Sequence, residues 1–431
     1  MTEPYPTPGL QDVAQVVWQH VSTARWFADK GRGCHLARIV PLPWLHRSDD
    51  LAVRPELVEV RFDDGSEPHW YQALLAYARP ETADAEGHLG RVDTAAAPGA
   101  LTEGAPTPDH YALADATRVP AAMAAVLDSF TDQTLSDNGA ARLECHLVDD
   151  GYLHDRSGRE ADLSPVLFTG EQSNTSIMYG RTAMLKVFRR LEAGENLDIE
   201  VHRALVADAG APVARLHGSV RVQIADGPEM DLAMLAEQLR EPVNGWELAV
   251  SAASSNTDFS DHARGLGQAL AQVHGALARA FDTSAVDGGT VAASMRARLE
   301  SVAGQVSELT PHREGLAGTF AALEGRPLPV QRVHGDFHLG QVLLSEDTWR
   351  IIDFEGEPLK SFAERRQLDA VWRDIAGMLR SFDCRCDRNP LRRRPRCRLG
   401  LGRFLHRCLP RRLRRDGHSR VAGLHGRQGH L

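Results

Sequence analysis

Lysine is almost absent from this chain of 431 residues, in which arginine supplies nearly all of the positive charge. The three lysines are Lys30, Lys186 and Lys360, and each therefore needs a specific explanation. Lys186 is the most informative, because it stands in the apolar string AMLKVF, which predicts a β-strand. A compact ammonium group on such a strand suits phosphate contacts, and a strand lysine whose amine reaches solvent is the alternative.

Long apolar runs are also lacking. No stretch approaches the roughly 18 to 20 apolar residues that a bilayer-spanning helix needs. The first residues, MTEPYPTPGLQD, include acidic and proline residues where a secretory signal has basic and then apolar ones. We therefore expect a cytoplasmic protein with no membrane partner, and we expect a monomer. The length of the chain predicts two or three packed units.

The charge of the chain is unevenly distributed. The formal net charge is −9, but residues 384–431 hold 15 arginines against Asp387 and Asp416, which leaves −22 for residues 1–383. A strongly acidic body repels the phosphate backbone of nucleic acids. We therefore expect no nucleic-acid partner for the body of the protein.

The most informative stretch is RVHGDFHLGQVLLSEDTWRIIDFEGEP, at residues 332–358. A polar cluster in it precedes an apolar strand that ends in two carboxylates: His334, Asp336, His338 and Gln341, then Ile351 and Ile352, then Asp353 and Glu355. One carboxylate can orient a hydroxyl nucleophile, while carboxylate and amide oxygens are ligands that Mg²⁺ prefers. The stretch predicts Mg²⁺-assisted phosphoryl transfer, and a β-hairpin with solvated acids is the alternative.

The motifs HGDFHLGQ and IIDFEGEP resemble those of the aminoglycoside-phosphotransferase-like kinases, and within them the actinobacterial maltokinases and glucosamine kinases. The resemblance implies an α+β, bilobal protein-kinase-like fold with an N-terminal cap subdomain, and ATP as co-substrate with Mg²⁺. It makes Asp336 the catalytic base and assigns metal binding to Gln341 and Asp353, beside which Glu355 is a further metal candidate. Many members have Asn where Gln341 stands, and both amides offer an oxygen ligand.

Further segments predict the nucleotide site. The polar turn in FTGEQSNTSIMYG places Ser173 and its neighbours where hydroxyls and backbone N–H groups can approach phosphates. Lys186 would contact the nucleotide phosphates, and Glu200 on the following helix would anchor this lysine. An exposed helix glutamate is the alternative for Glu200. Order along the chain places the backbone groups of Glu237 and Leu239 against the adenine edge.

The segment ERRQLDAVWRD predicts the acceptor site. Polar groups bind sugar hydroxyls and an aromatic face covers the C–H surface of a ring, so the candidates beside Asp336 are Gln367, Asp369, Trp372 and Arg373. A charged loop before a helix is the alternative.

This segment also departs from the maltokinases, which usually have Ser-Pro-Leu before Arg-Asp here. Trp372 would close part of a disaccharide pocket, and Asp369 would pair with a protonated amine, a combination that resembles the glucosamine kinases. We expect an ATP-dependent kinase that converts D-glucosamine to D-glucosamine 6-phosphate. Conversion of maltose to maltose 1-phosphate is the alternative.

The order of predicted elements suggests five segments. Residues 1–110 form the N-terminal cap, residues 111–162 an intermediate subdomain, and residues 163–240 the kinase N-lobe with the nucleotide-binding strands. Residues 241–383 form the helical C-lobe with the catalytic and metal motifs, in which His274 is expected to be structural. Residues 384–431 are an arginine-rich tail outside the native fold.

The tail allows three interpretations. It holds Cys384, Cys386, Cys397 and Cys408 without the paired spacing of a zinc module. A basic arm for RNA or an acidic partner is the second interpretation. We prefer the third, a misread end of the gene, because the kinase-like pattern breaks abruptly after the string SFD. A kinase-like protein that binds ligands without catalysis is a further rival, which the intact acidic motifs disfavour.

Overall fold

The computed structural model describes residues 12–81, 87–97, 99–155, 158–170, 173–206, 210–304, 306–358 and 360–383. The chain divides into two compact units. The first unit comprises residues 1–202 and 214–240, and the second comprises residues 203–213 and 241–431. The predicted arginine-rich tail lies outside the described residues.

The first unit contains a seven-stranded antiparallel sheet near its N-terminus, with the central order β1-β3-β4-β6-β5; β2 pairs with β3, and β12 pairs with β4. Its strands are β1 (Cys34–Pro41), β2 (His46–Arg47), β3 (Leu51–Phe62), β4 (His69–Ala78), β5 (His88–Asp93), β6 (His110–Asp115) and β12 (Arg190–Leu191). Helix α1 (Val13–Thr23) begins where the Asp12 carboxylate accepts a hydrogen bond from the Ala14 backbone N–H at 2.8 Å. Its buried valines pack in the same apolar core as the strands.

A second seven-stranded antiparallel sheet follows in the same unit, in the order β7-β8-β13-β14-β11-β10-β9. Its strands are β7 (Leu135–Asp137), β8 (Ala141–Leu147), β9 (Pro165–Leu167), β10 (Thr175–Tyr179), β11 (Ala183–Val187), β13 (Leu216–Ile224) and β14 (Glu229–Glu237). The helices of this region are α2 (Pro120–Thr131) and α3 (Leu197–Val206), of which α3 ends in the second unit. The turn between β9 and β10 is the predicted phosphate-contacting turn.

The second unit is mainly helical, with a three-stranded sheet in the order β15-β18-β19 and a two-stranded sheet of β16 and β17. Its described helices are α4 (Gly245–Ser255), α5 (Ser260–Ala280), α6 (Gly288–Ala303), α7 (Arg313–Ala321), α8 (Phe362–Arg365) and α9 (Trp372–Asp383). Its strands are β15 (Val243–Asn244), β16 (Ser284–Asp287), β17 (Pro327–Val330), β18 (Val342–Ser345) and β19 (Thr348–Ile351).

Two helices of the second unit follow directly from apolar periodicity. The buried residues of α5 recur every three or four positions, at Leu266, Leu270, Val273 and Leu277. In α9, Ile375, Met378 and Phe382 are buried in the same way. No helix in the described part of the chain has the length and hydropathy of a membrane span. The predicted divisions at residues 110, 162 and 240 stay predictions.

Candidate functional site

The loop between β17 and β18 carries the predicted catalytic base and is organised around a buried histidine. His334 is 1% exposed, and its Nε2 lies 2.9 Å from the carbonyl oxygen of Ile352. Because a carbonyl only accepts, Nε2 carries the proton, and Nδ1 is left to accept the backbone N–H of Asp336 at 3.3 Å. One imidazole therefore links the base loop to the segment that follows β19.

Asp374, in the first turn of α9, holds the same loop from the other side. Its two carboxylate oxygens accept the backbone N–H groups of His334 at 2.9 Å and Gly335 at 2.8 Å. The Nε2 of His274, on α5, lies 2.7 Å from the same carboxylate, which is fully buried. Burial alone would raise the pKa of Asp374, but these hydrogen bonds and the nearby histidines outweigh it and hold the pKa below its usual value.

Asp336 itself is left accessible by this arrangement. Its side chain is 35% exposed, and the Nε2 of His338 lies 3.9 Å from its carboxylate. Burial lowers the pKa of His338 below its usual value, which favours a neutral imidazole there. A half-exposed carboxylate on a rigidly held loop can accept a hydrogen bond from a substrate hydroxyl.

The predicted metal residues lie together at the end of β19. The Nε2 of Gln341 donates to Asp353 at 3.0 Å, so the amide oxygen of Gln341 is not the atom used in this contact. Asp353 and Glu355 each offer a carboxylate oxygen within 4.8 Å of the other. An amide oxygen and two carboxylates form a set of hard oxygen donors that fits Mg²⁺.

The backbone at the metal residues is also unusual. Asp353 has a φ of +68°, in the left-handed region that residues with a side chain rarely adopt. Gly335 and Gly356 have φ values of +85° and +74°, and a Cβ on Gly335 would lie 3.4 Å from the Cα of Gly356. The base loop and the acidic loop therefore approach each other through glycine. Strain of this kind is typical of functional sites.

The acceptor candidates divide into two groups. Asp369 lies 3.5 Å from the Lys360 ammonium and 3.3 Å from Arg373 Nη1. Arg373 also donates to the carbonyl oxygen of Gly335 at 3.0 Å and to the carboxylate of Glu357. Both residues therefore belong to one network that reaches the base loop.

Gln367 and Trp372 form the second group of acceptor candidates, and both are exposed. Trp372 is 38% exposed, which leaves much of its ring open. Substrate contact by these acceptor candidates stays a prediction.

In the first unit, Lys186 lies on β11, as predicted, and its Nζ donates to Asp198 at 2.9 Å. The contact of Lys186 that the structure describes is with Asp198, which stands on the same helix as Glu200. Anchoring of the lysine by Glu200 stays a prediction. Asp198 occupies the face toward β11 and is 2% exposed.

Asp198 is shared with a second cation. His202, one turn further along α3, lies 3.1 Å from the Asp198 carboxylate. Burial would raise the pKa of Asp198, but the charges of Lys186 and His202 hold it well below its usual range. Burial would lower the pKa of His202, and Asp198 raises it above its usual value. The lysine is thus fixed by a buried ionised carboxylate.

The remaining nucleotide candidates lie at or beyond the ends of strands in the same sheet. Ser173 is exposed in the turn between β9 and β10, and Glu237 ends β14. The backbone N–H of Glu237 donates to the carbonyl oxygen of Arg215 at 2.8 Å, so this group is used within the unit. Leu239 is 8% exposed. Adenine contact by Glu237 and Leu239 stays a prediction.

Comparison with known families identifies the central part of the chain. Residues 168–356 match the profile of the family described as Phosphotransferase enzyme family. These residues are therefore similar to that family. The match extends from the predicted phosphate-contacting turn through Asp336 to Glu355, and it agrees with the predicted class of enzyme, a phosphotransferase.

Two curated relatives of the chain carry the same name. Glucosamine kinase of Mycolicibacterium smegmatis is 28% identical over 241 residues, which cover 50% of this chain and 57% of the relative. Glucosamine kinase of Streptacidiphilus jiangxiensis is 29% identical over 237 residues, which cover 49% of this chain and 52% of the relative. The chain thus spans about half the length of the curated relatives it matches.

Solved structures extend the likeness beyond the phosphotransferase domain. Glucosamine kinase in complex with glucosamine, ADP and inorganic phosphate aligns with a TM-score of 0.58 at 17% identity, covering 93% of this chain and 87% of that chain. Crystal form B of glucosamine kinase aligns with a TM-score of 0.58 at 18% identity, covering 92% and 87%. At this identity the likeness concerns the fold, and it confirms the predicted α+β kinase-like fold.

Sequence reasoning missed two carboxylates, Asp374 and Asp198. Each stands in the first turn of its helix, Asp198 one residue after the start of α3 and Asp374 two residues after the start of α9, and neither carries a motif of its own. A signal existed for Asp374, because an acidic residue in the otherwise apolar face of α9 has to be paired when it is buried. For Asp198 the neighbouring Glu200 offered an equally good candidate.

Proposed function

We propose that this protein is an ATP-dependent kinase that phosphorylates D-glucosamine to D-glucosamine 6-phosphate. The single observation that carries the kinase chemistry is the arrangement of the base loop. Asp336 is accessible on a loop fixed by His334 and Asp374, beside the oxygen donors Gln341 and Asp353. The relatives named glucosamine kinase support the choice of acceptor.

In the proposed reaction Asp336 accepts a hydrogen bond from the acceptor hydroxyl and orients it toward the terminal phosphate of ATP. The proton of the hydroxyl passes to the Asp336 carboxylate as the new P–O bond forms and ADP leaves. Gln341, Asp353 and Glu355 would hold Mg²⁺, whose charge offsets that of the phosphates when it is bound. Lys186, held by Asp198, would contribute a positive charge toward the nucleotide phosphates.

For the acceptor we propose that Asp369 attracts the amine of glucosamine. Its carboxylate already pairs with an ammonium group, that of Lys360 at 3.5 Å, which supports this proposal. The amine would replace or join Lys360, and the ring of Trp372 would cover the apolar face of the sugar. Arg373 keeps Asp369 oriented from the next turn.

A substrate screen tests the proposal. Consumption of ATP is measured with glucosamine, glucose, maltose and an aminoglycoside, each with the full chain and Mg²⁺. We expect glucosamine to be used best, and maltose turnover above that of glucosamine would favour the maltokinase alternative.

Asp369→Asn should raise KM for glucosamine about tenfold or more, which corresponds to the loss of one charge-assisted hydrogen bond, and should change KM for glucose little. An equal effect on both sugars would remove Asp369 from amine recognition.

A further inference from the structure

The first unit contains a cavity of about 680 Å³ whose described lining includes Asn174 and Thr175, the neighbours of Ser173, but not Lys186. Its described wall is built from the end of α1, the start of β5, the turn after β6, Arg189 after β11, and residues 167–170 with Asn174 and Thr175. The last of these residues flank the turn proposed to contact ATP. The volume is in the range of cavities that bind small organic ligands.

Among the wall residues that the structure describes, arginines outnumber carboxylates. Arg25, Arg118 and Arg189 contribute to this part of the wall, against the carboxylate of Asp115. Asp115 lies 3.6 Å from Arg189 Nη2, so one of the three arginines is already neutralised inside the wall. Arg25 and Arg118 are exposed. Since residues 1–383 carry a net charge of −22, a cationic cavity is a local exception that favours an anionic ligand.

A buried nitrogen in the same wall has no protein partner. The Nε2 of His20 is buried without a hydrogen bond in the part of the chain that the structure describes, and the nearest carboxylate oxygen, on Asp115, lies 3.7 Å away. Burial lowers the pKa of His20 below its usual value, and the charges of Arg189 and Arg118 lower it further, against the opposing charge of Asp115. A buried polar atom left unsatisfied by protein is a position where a ligand or water atom is expected.

The cavity also offers flat apolar surface. Phe168 is 44% exposed, and its ring lies against Gly170 so closely that a Cβ there would meet its Cε1 at 2.2 Å. Trp26 forms another part of the wall and stacks under the guanidinium of Arg189, 4.8 Å from ring centre to Arg189 Cζ. Aromatic faces beside arginines suit a ring that carries a negatively charged substituent.

The cavity faces the opposite side of the sheet from Lys186. In the β10–β11 pair, Ser176 is opposite Lys186 and Thr175 is opposite Val187. Side chains of successive strand residues point to opposite faces, so Thr175 in the cavity wall and Lys186 lie on different faces. A ligand in the cavity would therefore contact the predicted phosphate-contacting turn on the side away from Lys186, without entering the proposed nucleotide site.

We propose that this cavity is a second ligand site, which binds the phosphate monoester of a small ring compound through Arg25 and Arg118 and alters the affinity of the adjoining turn for ATP. The connection to the turn is direct. Arg25 Nη2 donates to the carbonyl oxygen of Gly170 at 2.8 Å, and Arg189 Nε donates to Thr175 Oγ1 at 2.8 Å. The effect on ATP rests on the proposed function, whereas binding itself does not.

Calorimetric titration of the full chain tests the site with three probes: glucosamine 6-phosphate, adenosine monophosphate and inorganic phosphate. The two esters distinguish a sugar phosphate from a nucleotide source of the same chemistry. We expect at least one ester to bind more tightly than inorganic phosphate. Arg118→Gln should weaken that binding about tenfold or more, since it removes a charge-assisted contact. Arg142→Gln, at an exposed arginine outside the cavity, is the matched control and should bind as the unmodified chain does.

Two further variants separate the cavity from the proposed active site. Binding that survives Lys186→Met and Asp369→Asn but falls in Arg118→Gln belongs to the cavity, and the bound ester should then change KM for ATP. No binding of either ester, binding no tighter than that of inorganic phosphate, or equal binding by the Arg118→Gln and Arg142→Gln variants would each overturn the proposal. A chain without kinase activity still yields this binding result, so failure of the proposed function is recognised separately.

Discussion

Asp336 and Asp374 are two aspartates that meet at one loop in opposite environments. The Asp336 side chain is 35% exposed, whereas Asp374 is fully buried and its oxygens accept two backbone N–H groups and face His274. The exposed carboxylate is available to a substrate, whereas the buried one already contacts the loop and His274. Burial and hydrogen bonding, rather than residue type, thus distinguish the carboxylate proposed as the base from the one that positions the loop.

Replacement of the proposed base tests the first of these roles. In Asp336→Asn the side chain keeps its shape but no longer takes the proton of the acceptor hydroxyl, so kcat should fall about 10²–10⁴-fold. Nucleotide affinity should stay near that of the unmodified protein, as measured by titration with an ATP analogue. Asp347→Asn, at an exposed turn, serves as the control. Unchanged turnover in Asp336→Asn would remove it as the base.

Replacement of the buried aspartate tests the second role. Asp374→Asn removes charge from a site that accepts two N–H groups and contacts His274, so the free energy of unfolding at pH 7 should fall by about 3 kcal/mol. The pKa of Asp374 is lower in the folded than in the unfolded chain. Its stabilisation is therefore complete above about pH 4 and is lost as the pH falls through the folded-state pKa.

Urea unfolding of the unmodified chain and of Asp374→Asn at several pH values measures this effect. The difference between the two unfolding free energies should shrink as the medium becomes acidic. A difference that stays constant down to pH values well below about 4 would show that the charge of Asp374 does not carry the stabilisation.

At the scale of elements, α9 is the support of the base loop. Besides Asp374 it contributes Ser381, whose Oγ accepts the backbone N–H of Leu339 at 3.1 Å. Gly377 lies between them, and a Cβ there would be 2.5 Å from the carbonyl oxygen of Phe337. The helix can approach the loop this closely only because position 377 has no side chain.

Gly377→Ala should therefore move the base loop away from α9. We expect a loss of about 1–3 kcal/mol in unfolding free energy, as is typical of overpacking, together with a fall in kcat. Gly315→Ala on α7 is the matched control, because a Cβ there meets nothing within 4 Å. That control should be neutral or more stable by up to about 1 kcal/mol, since alanine favours the helix. Equal behaviour of the two variants in thermal unfolding and turnover would contradict the proposed support.

At the scale of the whole molecule, substrate binding should be visible as stability. A ligand that binds only the folded chain, present at 100 times its Kd, raises the free energy of unfolding by about 2.7 kcal/mol. We expect ATP with Mg²⁺ to raise Tm accordingly, and removal of Mg²⁺ by a chelator to abolish most of the rise. Asp353→Asn should reduce it as well. A rise that is equally large with the chelator would mean that Gln341, Asp353 and Glu355 do not hold Mg²⁺.

Positive charge has defined positions in the folded chain. Residues 1–383 carry a net charge of −22, yet arginines line the cavity of the first unit, and each lysine has a contact with a described residue. Lys30 donates to the carbonyl oxygen of Arg25 at 3.1 Å, Lys186 pairs with Asp198, and Lys360 pairs with Asp369. Arginine rather than lysine therefore supplies the positive charge of this cavity.

The amino-acid sequence by itself determined the helices with clear periodicity and the residues of the base and metal motifs. Apolar spacing is a local property, so α1, α5 and α9 were predictable from it. The string HGDFHLGQ and the following IIDFEGEP place Asp336, Gln341 and Asp353 within one short loop-strand-strand segment, in which little chain separates them. Family resemblance to the phosphotransferase domain could be read from these motifs for the same reason.

Only the tertiary structure decided which distant groups hold these residues in place. Asp374 is separated from His334 by 40 positions, and the contact depends on how α9 packs against the base loop. The contact of Asp198 with Lys186 depends on which face of α3 turns toward β11. The cavity of the first unit gathers described residues from five separate segments of the chain. Packing of elements against one another determines all three, and no local sequence pattern encodes it.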